Sequence, residues 1–269
     1  MPAHRRRARH VARVTPRRAS PLPRAILSGE SEGAFARLPE TVIANLRREN
    51  SENARLWNRF NPRPGRPLSL RPMLSAPRLW GSAFAEPPDD RLEPYFWGVH
   101  PSGDRLEGLA RALDTVDGGG PQTEIDLILR GAEHLVVVEA KNLSALGRCG
   151  RYQRRACPEV HRSAERWLES CRYWDVEAAR FETHLELGGR PAPGTPRPAC
   201  SVHYQLARTF LIGLSLSSSL GSQLHLWLLL PRARWPALER TWLDFAGRVR
   251  DPDQWRRLRV LAWDDIAPG

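Results

Sequence analysis

Three charged side chains interrupt apolar runs of the sequence: Asp126 in TEIDLILR, and Glu139 and Lys141 in HLVVVEAKN. Residues two apart in a β-strand lie on one face, so Glu139 and Lys141 point the same way. If the two runs form a hairpin through the four-residue loop 131–134, Asp126 lies opposite Glu139, about 5 Å away. A slip of one residue would move Asp126 to the other face, so the geometry depends on the loop length.

Two facing carboxylates repel each other unless a cation lies between them, and their oxygens suit Mg²⁺ or Mn²⁺. Such an ion keeps coordination positions for water and phosphate oxygens, as in-line phosphodiester hydrolysis requires. Lys141 could orient or deprotonate the attacking water and offset charge developing on the phosphorane. The structural alternative is a strand-end salt bridge between Lys141 and Glu139 or Asp126.

Lys141 is the only lysine of the chain, because the other 40 of its 41 basic residues are arginine. Lysine offers a compact point charge that can lose its proton when buried, whereas the planar guanidinium of arginine stays charged. The composition therefore suggests that position 141 needs a property that arginine lacks.

The elements around these residues predict one α/β domain. We expect a helix across 33–48 interrupted at Pro39, a helix after the turn at 101–104, and strands over 123–130 and 134–142. A helix over 203–216, a strand over 224–230, a helix near 237–248 and a strand over 258–263 follow. We divide the chain into a disordered basic arm (1–29), a helical and irregular N-terminal region (30–99) and the domain that carries the chemistry (100–269).

Asp126, followed after twelve residues by Glu139-Ala140-Lys141 within apolar strands, resembles the PD-(D/E)xK phosphodiesterase superfamily of restriction-endonuclease-like nucleases. The likeness covers about fifty residues, and Ile125 stands where the family usually has proline. It implies a restriction-endonuclease-like α/β fold with a mixed central β-sheet flanked by helices. It also implies that Asp126, Glu139 and the Ala140 carbonyl bind the metal and that Lys141 is the catalytic base or positions the water.

Two further residues enter only through this resemblance. The family tends to place an acid on the helix before the hairpin, and Glu107 is the nearest candidate. Many members carry a glutamine or tyrosine on the helix after the lysine, where Gln153 stands. For both residues the alternative is a solvated helix position.

Residues 1–24 contain eight arginines and no acid, which leaves +3 of the net charge of +11 for the rest of the chain. This arm either holds nucleic acid through its phosphates or is a solvated tail. No apolar segment follows the arginines, and the four cysteines contain no C-x-x-C pair. We therefore expect reduced thiols, no zinc or iron–sulfur site and a cytoplasmic protein. The uncharged stretch 209–230 predicts a buried helix and strand, not a membrane span.

Together these features predict a Mg²⁺-dependent nuclease that acts on DNA in restriction, repair or phage defence. The sequence leaves two alternatives open: a catalytically inactive nucleic-acid-binding module of the same fold, and an RNA-directed nuclease using the same site. It also leaves open whether the chain acts as a homodimer.

Overall fold

The central feature of the computed structural model is a mixed β-sheet. The structure describes residues 32–46, 48, 51–61, 68–69, 73, 76–82, 91–119, 122–162 and 169–266. Within these residues seven strands form the order β1-β3-β4-β5-β6-β7-β2. Their bounds are Leu68–Ser69 (β1), Arg78–Gly81 (β2), Arg91–Phe96 (β3), Leu127–Arg130 (β4), His134–Ala140 (β5), Gln223–Leu230 (β6) and Leu258–Ala262 (β7). The predicted arm, 1–29, lies outside the described residues.

The direction of the strands changes at β5. Strand β5 is antiparallel to β4 and parallel to β6, which is in turn parallel to β7, while β2 and β3 run antiparallel to their neighbours. Strands β5 and β7 are buried along their whole length, and only Gln223 of β6 is half-buried. Such near-continuous burial explains the apolar runs, because parallel strands are covered on both faces.

Helices cover both faces of the sheet. The described helices are Glu32–Phe35 (α1), Glu40–Leu46 (α2), Glu52–Phe60 (α3), Leu109–Asp117 (α4), Gly150–Gln153 (α5), Arg172–Asp175 (α6), Ala199–Val202 (α7), Tyr204–Leu220 (α8), Trp235–Ala246 (α9) and Pro252–Arg256 (α10). Helices α4, α8 and α9 pack on the face that carries Val137. Helices α2 and α3 pack on the face that carries Val136 and Val138. Because successive side chains of β5 point to opposite faces of the sheet, they belong to two separate halves of the core.

The α/β class and the mixed sheet flanked by helices are confirmed. The break between α1 and α2 falls at Pro39, as the sequence predicts. The uncharged stretch 209–230 is indeed most of α8 followed by β6. None of the helices in the described residues is long and apolar enough to span a membrane.

Two predicted elements begin later than expected. The helix expected after the turn at 101–104 starts at Leu109, because Gly108 before it adopts a left-handed conformation with φ of 78°. Strand β4 starts at Leu127 and not at residue 123. In addition, β2 and β3 belong to the same sheet as β4, so that sheet continues across the boundary predicted at residue 100.

Candidate active site

The hairpin of β4 and β5 brings the two predicted carboxylates together. Leu127 pairs with Val138, which puts Asp126 opposite Glu139 in the register that the loop length predicts. The backbone pairing of β4 with β5 ends at Leu127. Beyond it, Asp126 Oδ2 accepts the Ala140 N–H at 2.8 Å, so a side chain continues the hydrogen bonding between the strands. The N–H and C=O of one strand residue point to the same side, so the Ala140 carbonyl also faces Asp126.

Glu139 is held from two directions and is only 1% exposed. Its Oε1 lies 2.7 Å from Lys141 Nζ and accepts a hydrogen bond of 2.5 Å from Gln205 Nε2. Its Oε2 accepts the Thr209 hydroxyl at 3.3 Å. Gln205 and Thr209 stand one turn apart on α8, so a single helix face fixes this carboxylate.

The backbone of Lys141 is fixed on both sides. Its N–H donates to the Leu229 carbonyl at 2.8 Å, which continues the pairing of β5 with β6. Its carbonyl accepts the indole N–H of Trp263 at 3.3 Å. The Lys141 side chain therefore extends into the site from a strand end whose backbone is hydrogen-bonded on both sides.

Glu52 is a member of this cluster that sequence reasoning missed. It stands in the first turn of α3, after the N-cap Ser51, and its Oε1 lies 3.8 Å from Lys141 Nζ. Its Oε2 accepts a short hydrogen bond from the Asn142 N–H and one of 3.1 Å from the Ser144 hydroxyl. The sequence signal for the helix that carries Glu52 is the serine N-cap followed by the apolar spacing of Leu56, Trp57 and Phe60.

Glu107 and Gln153, by contrast, lie apart from this cluster. Glu107 is exposed in the turn before α4, and Gln153 is exposed at the end of α5. Within the described residues neither side chain forms a hydrogen bond or ion pair with Asp126, Glu139 or Lys141. The acid and the glutamine that do contact the Lys141–Glu139 pair are Glu52 and Gln205.

The site has more negative than positive charge, because three carboxylates surround one ammonium. Burial and the neighbouring charge of Glu139 raise the pKa of Asp126 well above its usual value. Burial lowers the pKa of Lys141, but the charges of Glu139 and Asp126 outweigh it and raise that pKa overall. In this arrangement Lys141 is a cation at neutral pH and acts as a hydrogen-bond donor.

The donor set fits a hard divalent ion. Its oxygens come from Asp126, Glu139, the Ala140 carbonyl and Glu52, and the raised pKa of Asp126 indicates that a further cation would be favoured there. Among the described residues, no three His, Cys, Asp or Glu side chains are already arranged as a metal-ligand group. Side-chain rotation of Glu139 or Glu52 would therefore have to accompany metal binding.

An open cleft of about 350 Å³ leads to Asp126. Its wall includes Arg148, Arg208 and Gln205. Arg208 is anchored by Asp117, with Nε 2.9 Å from Oδ1 and a terminal nitrogen 2.8 Å from Oδ2. Arg148 is exposed. The lining also carries two carboxyl groups, Glu124 and Asp126, so among the described residues the unpaired positive charge at the cleft comes from Arg148.

Comparisons of the chain with protein-family models, with curated proteins and with solved structures find no match.

Proposed function

We propose that this protein is a Mg²⁺-dependent nuclease that hydrolyses phosphodiester bonds of DNA, with a restriction-endonuclease-like domain of the PD-(D/E)xK type. The observation that carries the proposal is the convergence of Asp126, Glu139 and Lys141 at one end of the β4–β5 hairpin. An isolated strand-end salt bridge would account for Lys141 and Glu139. It would not account for a second and a third carboxyl group, Asp126 and Glu52, near the same ammonium.

Asp126, Glu139 and the Ala140 carbonyl would hold the Mg²⁺, or Mn²⁺ in its place, with Glu52 beside them. The ion supplies Lewis-acid activation of water and neutralisation of phosphate charge. Lys141 donates hydrogen bonds that orient the water and the phosphate oxygens, a role for which a compact ammonium suits better than a guanidinium. Gln205 holds the Glu139 carboxylate in place, and the exposed Arg148 would contact the phosphate backbone.

The first experiment compares cleavage of plasmid and linear DNA in Mg²⁺ by the wild type and by Asp126→Asn and Lys141→Ala. We expect each variant to lose about 10²-fold or more in rate, the usual effect of removing a group that acts on the reacting water. Glu107→Gln and Gln153→Ala are matched controls, because both residues are exposed and lie apart from the cluster; both should keep wild-type rates. Equal rates in all five proteins would refute the assignment.

A second comparison tests which acid completes the site. Glu52→Gln should slow cleavage strongly, whereas Glu107→Gln, the same chemical change on an exposed turn, should not. The opposite ranking would remove Glu52 from the site. RNA of the same sequence, run in parallel, tests the RNA-directed alternative. Salt-sensitive DNA binding without cleavage by the wild type would favour the non-catalytic module.

A further inference from the structure

All four cysteines of the chain converge in space although the last lies 51 positions after the first in the sequence. Cys149 precedes α5, Cys157 lies in the turn after it, Cys171 precedes α6, and Cys200 is in α7. Each of the six pairs of thiols is close enough to interact electrostatically. The absence of a C-x-x-C spacing therefore does not separate these thiols in the folded chain.

Two hydrogen bonds donated by cysteine N–H groups link these segments. The Cys149 N–H donates to the Ser201 carbonyl at 3.0 Å, which places Cys149 beside the segment of Cys200. The Cys171 N–H donates to Glu159 Oε1 at 2.9 Å, which places Cys171 beside the segment of Cys157. Glu159 is itself buried and bonded to Arg190, so this second link is rigid.

The four thiols are withdrawn from solvent in one part of the fold. Cys157 is buried, and Cys149, Cys171 and Cys200 are half-buried. Cys171 and Cys200 pack against the same core cluster. Burial, with the neighbouring thiols, raises the pKa of Cys171 and of Cys200 to about 12. A cation bound among the sulfurs would favour the thiolates, because an opposite charge lowers the pKa of a thiol.

The polypeptide around the cysteines has little regular structure of its own. The described residues between Cys149 and Cys200 form only two four-residue helices, two short 3₁₀ turns and irregular backbone. The thiols are free, so no disulfide staples this segment. Segments with so little helix and strand are commonly stabilised by a bound metal. Four thiolates complete the ligand set of a structural zinc ion or of an iron–sulfur cluster.

We propose that Cys149, Cys157, Cys171 and Cys200 form a structural tetrathiolate centre for a thiophilic metal, either Zn²⁺ or an iron–sulfur cluster. This centre is separate from the candidate Mg²⁺ site and does not depend on the nuclease assignment. Because no metal-ligand group is already assembled among the described side chains, binding would draw the four sulfurs together.

The centre would brace α8 at the point where the helix meets the candidate active site. Cys200 lies five residues before Gln205, and the Gln205 side-chain oxygen accepts the Gly147 N–H at 2.6 Å, two residues before Cys149. The same segment carries exposed arginines at 151, 154 and 155. A metal here would hold an arginine-rich surface next to the cleft that leads to Asp126.

The test is the metal content of the full-length protein purified without oxygen. Elemental analysis should find about one zinc per chain, or about four irons with matching sulfide and a broad visible absorption. Cys157→Ser and Cys171→Ser should lose nearly all of this metal. Asp126→Asn, which alters only the candidate Mg²⁺ site, should keep all of it. Metal that is absent from the wild type, or unchanged in both cysteine variants, overturns the proposal.

A measurement on the unaltered protein covers the case in which the cysteine variants fail to fold. Wild-type protein is treated with a chelator and titrated with Co²⁺, whose tetrahedral thiolate complexes absorb in the visible. We expect saturation at about one equivalent and bleaching when Zn²⁺ is added. For a protein isolated with iron, reconstitution with iron and sulfide replaces this titration. If neither treatment produces the absorption, the tetrathiolate centre is excluded whether or not DNA is cleaved.

Discussion

The surroundings of Lys141 explain why this position has a lysine, whereas the forty other basic residues of the chain are arginines. Its side chain is 7% exposed and contacts Glu139 at 2.7 Å and Glu52 at 3.8 Å. A guanidinium is larger and planar, and its five N–H donors would need acceptors arranged around a flat group in a buried space that holds a compact ammonium. The lysine is thus explained by the space and charge of its surroundings.

When no metal is bound, the ionised Asp126 carboxylate should lower the free energy of unfolding. A carboxyl whose pKa rises on folding contributes stability that is present at low pH and is lost as the pH rises through the raised pKa. Asp126→Asn should therefore raise the melting temperature at neutral pH in EDTA by about 2–4 °C, the shift that ~1 kcal/mol produces in a chain of this size. The gain should shrink as the pH is lowered.

The matched control for this measurement is Asp114→Asn, the same change at an exposed position of α4. It should leave the melting temperature nearly unchanged at both pH values. A lower melting temperature for Asp126→Asn at neutral pH would show that the carboxylate stabilises the fold, and would weaken its assignment as a metal ligand.

At the scale of elements, α8 connects the site to the core. Its first two turns carry Gln205 and Thr209, which hold Glu139. Further along, Gly213 lets the helix approach the sheet closely, because a Cβ there would lie 2.8 Å from Leu224 Cδ1 and 3.4 Å from Val137 Cγ2. The position of the site residues on the sheet therefore depends on a small residue two turns away.

Gly213→Val should destabilise the protein by about 1–3 kcal/mol, because the larger side chain overpacks the contact with β5 and β6. Gly213→Ala should be nearly neutral, since the gain in helix propensity offsets a contact that the flexible Leu224 side chain can relieve. Urea unfolding measures both changes.

Ser218→Val on the same helix is the control for this pair, because residue 218 is exposed and the change also introduces a β-branched side chain. It should cost only a few tenths of a kcal/mol. Equal losses for Gly213→Val and Ser218→Val would mean that helix propensity, not the close approach, explains the effect.

At the scale of the whole molecule, the sheet joins parts of the chain that are distant in sequence. Glu52 on α3, Lys141 at the end of β5 and Gln205 on α8 meet at one sheet end. Most of the net positive charge, eight of +11, in contrast belongs to residues 1–24. Charge and candidate chemistry are thus carried by different parts of the chain.

Removal of residues 1–24 tests whether the arm engages nucleic acid. Each arginine that neutralises a phosphate contributes about 0.9 to the slope of log affinity against log salt. If most of the eight arginines do so, the slope should fall by several units, as measured by anisotropy of a labelled duplex in EDTA. The cleavage rate at saturating DNA should change little. An unchanged slope would identify the arm as a solvated tail.

Sequence alone determined the features that depend on local periodicity. The loop length and the alternation of β4 and β5 were sufficient to place Asp126 opposite Glu139 and to align Lys141 with Glu139, because register in a hairpin follows from counting. The apolar runs likewise predicted α8, β6 and β7. The predicted first residues of helices and strands were less accurate, because a hydrophobic pattern does not reveal that Gly108 adopts a left-handed conformation.

Only the tertiary structure decided which distant residues complete the candidate site and where the cysteines lie. Glu52 and Gln205 could not be identified from spacing, because each reaches the hairpin across the packing of a helix on one face of the sheet. The four cysteines have no motif in the sequence, yet turns and two hydrogen bonds from cysteine N–H groups bring them together. Packing across a sheet is set by the fit of many side chains, and that fit leaves no fixed interval in the sequence.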